Sequence, residues 1–77
     1  MNADDVRKVP FRMRLRGYRA DEVDPFLEEV AVELESGRPV TAICQDAHFR
    51  VKFAGYDTKE VDRFLSEVAH ATPDWRD

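Results

Sequence analysis

Residues 11–31 read FRMRLRGYRADEVDPFLEEVA, and residues 49–69 read FRVKFAGYDTKEVDRFLSEVA. The two stretches align at a constant offset of 38 without a gap, and 12 of their 21 positions are identical. The shared positions are Phe11/Phe49, Arg12/Arg50, Gly17/Gly55, Tyr18/Tyr56, Glu22/Glu60, Val23/Val61, Asp24/Asp62, Phe26/Phe64, Leu27/Leu65, Glu29/Glu67, Val30/Val68 and Ala31/Ala69. Self-similarity at a fixed period marks a repeated supersecondary unit, so the reading is an internal duplication.

Each copy carries the same punctuation. From Phe11 to Arg16 apolar and basic residues alternate strictly, and Phe49 to Phe53 repeats the pattern. A period of two is that of a strand with one apolar face. Gly17 and Gly55 follow, free to take a positive φ and turn the chain. An apolar stripe at helical spacing comes next, as Val23, Phe26, Leu27, Val30 and Leu34, and again as Val61, Phe64, Leu65 and Val68. The second helix is well signalled. Asp57 stands as cap with Glu60 three residues on, a capping box, and Tyr56 is placed to staple onto Val61. The first is poorer, because Arg19 cannot cap and Pro25 lacks the N–H a helix interior needs. Either the helix starts at Pro25 with Asp24 as cap, or it kinks there.

Outward from the repeats, Asn2 is placed to cap a short helix over residues 3–9, ended by Pro10, and Thr41 to cap another over 42–48. The organisation is one domain over residues 1–71: a first repeat at 2–35, a linker at 36–40 and a second repeat at 41–71. The tail at 72–77 holds Trp75, frayed or folded back onto the body.

A lone strand leaves its edges unpaired, and one amphipathic helix cannot bury its own stripe. Two copies solve both problems. The expected fold is α+β, mainly helical: a pseudo-twofold duplication of short helix, strand and helix. Its two-stranded antiparallel ribbon, Phe11–Leu15 against Phe49–Phe53, packs on the helices. The expected core is Phe11, Met13, Leu15, Val23, Phe26, Leu27, Val30, Phe49, Val51, Phe53, Val61, Phe64, Leu65 and Val68. The pairing is equally satisfied within one chain or in a swapped homodimer.

Composition narrows the function. The chain has 77 residues, a net charge of −4 and one cysteine. Cys44 cannot form an internal disulfide; it reads as a buried small hydrophobe and points to the cytosol. There is no signal-peptide pattern, and no apolar run approaches the roughly 20 residues of a membrane span. Charge is segregated: six bases and no acid from Arg7 to Arg19, then seven acids and no base from Asp21 to Glu35. Such blocks favour electrostatic pairing within or between chains. The outer face of the ribbon carries Arg12, Arg14, Arg50 and Lys52, with Arg16 near one end. This face is either a solvated strand surface whose cations partner the acidic helix, or an anion- or partner-binding surface.

The string RGYxxxEVDxFLxxV resembles the DivIVA-domain family of bacterial division and polar-growth scaffolds. It stands as Arg16-Gly17-Tyr18 followed by Glu22-Val23-Asp24-Pro25-Phe26-Leu27. It recurs as Gly55-Tyr56-Asp57 followed by Glu60-Val61-Asp62-Arg63-Phe64-Leu65. Asn2 to Phe11 and Thr41 to Phe49 resemble the short lead-in helix before the family's phenylalanine. Tandem copies in a short chain are similar to the small DivIVA-domain repeat proteins of actinobacteria. The resemblance implies a cytoplasmic, non-enzymatic, oligomeric cell-division or polar-growth protein, peripheral to the inner membrane. It implies a membrane tip at an aromatic–basic pair just before Gly-Tyr, here Leu15-Arg16 and Phe53-Ala54, neither of which holds both members. The family's long coiled coil does not follow these repeats, so a polymer built through one is not expected.

No catalytic, cofactor or metal site is expected. His48 and His70 lack partners at ligand spacing, and Cys44 lacks a base. The expected function is an interaction or scaffold module, a protein–protein adaptor placed at the cytoplasmic membrane surface. Its partners are another protein first, then an anionic membrane. The alternative is a nucleic-acid binder of ribbon-helix-helix character. The almost exclusively basic ribbon would then give phosphate contacts but little base reading.

Overall fold

The computed structural model describes residues 2–71, with side chains to His70. Tail residues 72–77, Trp75 among them, lie outside the described residues. The elements run α1 (Ala3–Lys8), β1 (Met13–Tyr18), α2 (Ala20–Glu35), α3 (Thr41–Gln45), β2 (Val51–Tyr56) and α4 (Thr58–Ala71). The fold is a small, mainly helical α+β unit with one two-stranded sheet.

The helix starts are decided by their caps. Asn2 caps α1 in a full capping box: its side chain accepts from the Asp5 N–H, and the Asp5 carboxylate accepts from the Asn2 N–H. Asp57 caps α4, its carboxylate accepting from the N–H groups of Lys59 and Glu60. Glu60 does not close that box but reaches across to the Arg12 N–H at 2.8 Å. Two other expectations are corrected. First, α2 starts at Ala20 and runs through Pro25, with no side-chain cap at Arg19. The Arg19 carbonyl accepts from both Glu22 and Val23, which holds the first turn without one. Second, α3 is shorter than expected, and Val40, not Thr41, stands in its cap position. Thr41 instead donates its hydroxyl to the Ala69 carbonyl at 3.1 Å, tying α3 to α4.

The core lies around the long helices. Val23, Leu27, Val30 and Ala31 of α2 and Val61, Leu65, Val68 and Ala69 of α4 are buried together. Each stripe is filled by its own lead-in helix, α1 on α2 and α3 on α4. Ala3 and Val6 enter from α1, and Cys44 from α3. Val40, at the end of the linker, is fully buried and anchors the connection. Full burial of one such side chain contributes roughly 1.5–3 kcal/mol. The linker is further set by Gly37 at φ +76° and by an ion pair from Arg38 back to Glu33.

Phe11, Phe26, Phe49 and Phe64 are partly buried and bind the halves edge to face. Phe11 meets Phe64 at 5.6 Å and Phe26 meets Phe49 at 5.4 Å between ring centroids. Tilted aromatic pairs of this kind add about 0.5–1.5 kcal/mol beyond area burial.

The sheet is a two-stranded antiparallel pair, as expected, but it is not a flat ribbon. Partner numbers fall along β2 as they rise along β1, Met13 facing Tyr56 and Tyr18 facing Val51, the sense of an antiparallel pair. Hydrogen bonds from the Arg19 N–H to the Arg50 carbonyl and from the Asp57 N–H to the Arg12 carbonyl continue that register at both ends. Five of the six paired positions keep that one register, and the sixth, Tyr18 with Tyr56, follows the 38-residue offset instead. The strands therefore cross rather than lie flat. Gly17 and Gly55 are not the expected positive-φ turns; both lie inside strands, and their backbones touch at the crossing. A Cβ on either would fall on the other strand's main chain, which is why both positions are glycine.

Four expected core residues are not in the core. Leu15 and Phe53 are 74% and 76% exposed, and Met13 and Val51 are 56% and 45% exposed. The stripes they were to cover are already filled by α1 and α3, so the ribbon's apolar side chains face outward.

Candidate interaction surface

The base of the ribbon is fixed by bonds exchanged between the halves. The Tyr18 hydroxyl donates to Asp62 on α4, and the Tyr56 hydroxyl to Asp24 on α2, each at 2.8 Å. Glu60 accepts from the Arg12 N–H, and Glu22 from the Arg50 N–H, again each at 2.8 Å. Tyr18 packs on Phe49, and Tyr56 on Phe11. Each contact has its counterpart 38 residues away, so Gly17, Tyr18, Glu22, Asp24 and Phe26 act with Gly55, Tyr56, Glu60, Asp62 and Phe64 as one lock. Both long helices have their first turns in this lock.

The same lock engages most of the ribbon's cations. Arg14 meets Asp57 at 2.8 Å, Arg50 meets Glu22 at 2.8 Å, and Arg12 lies 3.3 Å from Glu60. The hydrogen bond from Arg14 holds the Asp57 carboxyl below the usual carboxylate range and raises the Arg14 guanidinium in turn. Glu22 is held low first by the Arg50 N–H and then by its side chain. Lys52 lies in the field of Asp21, whose carboxyl is lowered chiefly by Arg19. Arg16 makes no ion pair or side-chain hydrogen bond among the described residues. Exposed pairs contribute little to stability, about 0–1 kcal/mol each, but they decide which charges face outward unpaired.

What is exposed at the crossing is therefore apolar, with the Arg16 guanidinium and the Lys52 ammonium outside any ion pair among the described residues. Leu15 and Phe53 are the most exposed large hydrophobic side chains, flanked by Met13 and Val51. Ala54, just after Phe53, takes φ +65°, a left-handed conformation that costs a residue with a Cβ roughly 1–2 kcal/mol. Of the residues singled out from sequence, Leu15, Arg16 and Phe53 come together here, while Arg12, Arg14 and Arg50 are drawn to carboxylates. Sequence reading offered the acidic helix as a partner of the ribbon cations, which the Arg50–Glu22 pair matches, but it did not name Asp57 or Glu60, and it missed the Tyr–Asp exchange. The signal available was the presence of Tyr, Glu and Asp at matching positions in both copies.

A separate, concave feature is a cleft of about 350 Å³ lined by Tyr18, Cys44, His48, Phe49, Leu65 and His70, among others. Burial pushes the Cys44 thiol up to about 11, which makes it a poor nucleophile. Among the described residues no three His, Cys, Asp or Glu side chains are placed to hold a metal ion. No described helix is long and apolar enough to cross a membrane. Compared with protein-family models, curated proteins and solved structures, the chain matches none.

Proposed function

We propose that this protein is a non-enzymatic, DivIVA-like interaction module that docks through its crossed ribbon onto an anionic membrane surface. In this reading it arose by duplication of one short helix–strand–helix unit, so the two halves supply in one chain the pair a single copy would need a dimer to form. The observation that carries the reading is the apex of the crossing, where Leu15 and Phe53 are largely exposed and Met13 and Val51 about half exposed. A soluble domain this small gains nothing for its own core from such exposure. An exposed apolar patch beside an unpaired cation has the chemistry of interfacial binding: side chains enter the acyl boundary and the cation meets phosphate. The outer faces of α2 and α4 are then left for a protein partner, which makes the module an adaptor at the cytoplasmic face of the membrane, in keeping with a role in cell division.

Co-sedimentation with phosphatidylglycerol-containing vesicles tests this. The protein is expected in the pellet, with binding weakened by salt. Equal recovery in the supernatant with and without vesicles would overturn the membrane assignment. Duplex binding, the alternative raised by the basic ribbon, would have to recruit Arg12, Arg14 and Arg50 away from Glu60, Asp57 and Glu22. Gel retardation at low salt that weakens steeply as salt is added would be needed to support it.

A further inference from the structure

The two lead-in helices hold equivalent places in the duplication but are fastened unequally. Helix α1 is tied at both ends. Asn2 and Asp5 close its capping box, and the Arg7 guanidinium bridges Glu28 at 2.8 Å and Glu35 at 2.6 Å on α2. At an offset of 38 the polar groups are replaced: Val40 stands for Asn2, Ile43 for Asp5, Gln45 for Arg7 and Ser66 for Glu28. Helix α1 also has acids in its first turn and bases in its last, which suit the helix dipole, and α3 has neither. Helix α3 has five residues, no side-chain cap bond and one buried side chain, Cys44. Among the described residues its one side-chain hydrogen bond to α4 runs from Thr41 to the Ala69 carbonyl at 3.1 Å, and no ion pair joins the two helices. The cleft of about 350 Å³ is lined by Cys44, Gln45 and Ala47 from this segment and by Leu65, Ser66 and Ala69 of α4, so the seam between them is not closed along its length. The flanks are firm. Val40 is fully buried, and Phe49 packs edge to face on Phe26.

We propose that α3 is a latch: residues 41–48 lift off α4 while α1, α2, α4 and the ribbon lock stay folded. Segments with few buried apolar contacts and few tertiary hydrogen bonds open at a lower free energy than the whole chain. The anchors at Val40 and Phe49 confine the motion to a looping-out, and the short loop between them keeps re-closure entropically cheap. Opening uncovers the α4 face at Leu65 and Ala69 and releases the Cys44 thiol to solvent. Helix α1, clamped by Arg7 and capped by Asn2, does not open in this way. The latch uses no residue of the exposed apex and does not depend on membrane docking.

Cys44 is the chain's one cysteine, so its modification reports the opening directly. The full chain would be labelled with N-ethylmaleimide across urea concentrations below the unfolding transition, where the rate is first order in reagent and follows the open population. A local opening exposes little surface, so the logarithm of the rate is expected to rise with less than about half the slope of global unfolding. A slope equal to the global one overturns the latch. Tyr56→Phe provides a second discrimination, because the Tyr56 hydroxyl bonds to Asp24 and not to α3. Cys44 labelling should be unchanged in that variant, and a rise matching its loss of global stability overturns the latch. The swap Cys44→Val/Val6→Cys moves the thiol to the equivalent place on α1. A cap is worth about fivefold in an opening constant and each exposed ion pair up to about as much, so the moved thiol is expected to react at least about tenfold more slowly than Cys44. Equal rates at the two positions, with matching thermal melts, overturn the difference between α1 and α3. Where the swap lowers the melt, the urea slope of the unmodified chain decides.

Discussion

Substitution of Gly17 by alanine is the sharpest test of the crossing. A Cβ at Gly17 would lie far inside van der Waals contact of the Tyr56 carbonyl oxygen and the Gly55 carbonyl group. These are main-chain atoms, so no rotamer change relieves the clash, and the strands must separate. Overpacking of this kind costs about 1–3 kcal/mol by itself. Separation also strains the hydroxyl bonds of Tyr18 to Asp62 and Tyr56 to Asp24, and hydrogen bonds to charged groups are worth about 1.5–3 kcal/mol each. Loss of even one brings the expected cost to about 3 kcal/mol or more. Typical stabilities of about 0.05–0.15 kcal/mol per residue make that a large part of the total for a chain of this length. At about 4–8 °C per kcal/mol for a domain of this size, Gly17→Ala should lower Tm by at least about 12 °C in a far-UV circular dichroism melt. Gly37→Ala is the control. Gly37 sits at φ +76° with nothing within 4 Å of the added Cβ, so it should lose only the roughly 1–2 kcal/mol of left-handed strain. A Gly17→Ala melt no lower than that of Gly37→Ala would refute the close backbone crossing.

Three further outcomes follow from the same geometry. Ala54→Gly should raise stability by roughly 1 kcal/mol, offset in part by the greater freedom of glycine in the unfolded chain, because Ala54 holds φ +65°; a fall in Tm would contradict that conformation. Tyr18→Phe and Tyr56→Phe should each cost about 1.5–3 kcal/mol and, given their matching 2.8 Å bonds, by nearly equal amounts in urea titrations; a neutral effect at either would break the exchange. The carboxyls of Asp21, Glu22, Glu28, Glu33, Glu35 and Asp57 are all held low in the folded state by arginine partners. Groups with lowered folded values stabilise above the unfolded carboxylate range and lose that contribution as pH falls through the folded values. Tm should therefore hold level from neutrality down to the ordinary carboxylate range and drop below it, and a rise on acidification would contradict the pairing.

Much of the helical framework was legible in sequence, because caps and stripes are local. Asn2 and Asp57 cap where their spacing says, and Val23, Leu27 and Val30 bury as their periodicity implies. The apex was not legible. Alternation shows that Met13, Leu15, Val51 and Phe53 share strand faces, but not what covers those faces. Val6 and Cys44, from helices too short to show a clear stripe, fill the space the ribbon was expected to fill. Gly17 and Gly55 are glycine because two backbones touch there, not because the chain turns. A glycine that permits a turn and one that permits two backbones to touch look the same in one dimension, and only the long-range register distinguishes them. The facing of Arg16 and Phe53 is a property of that register and has no local signature.

The most direct measurement is flotation with phosphatidylglycerol-containing vesicles of the full chain beside a Leu15→Ser/Phe53→Ser variant. Both side chains are exposed and contribute little to the core, so the variant should melt like the parent. The docking apex predicts that the parent rises with the vesicles and the variant stays at the bottom of the gradient. If both rise equally, or if the parent does not rise, the crossed ribbon is not the membrane-docking surface.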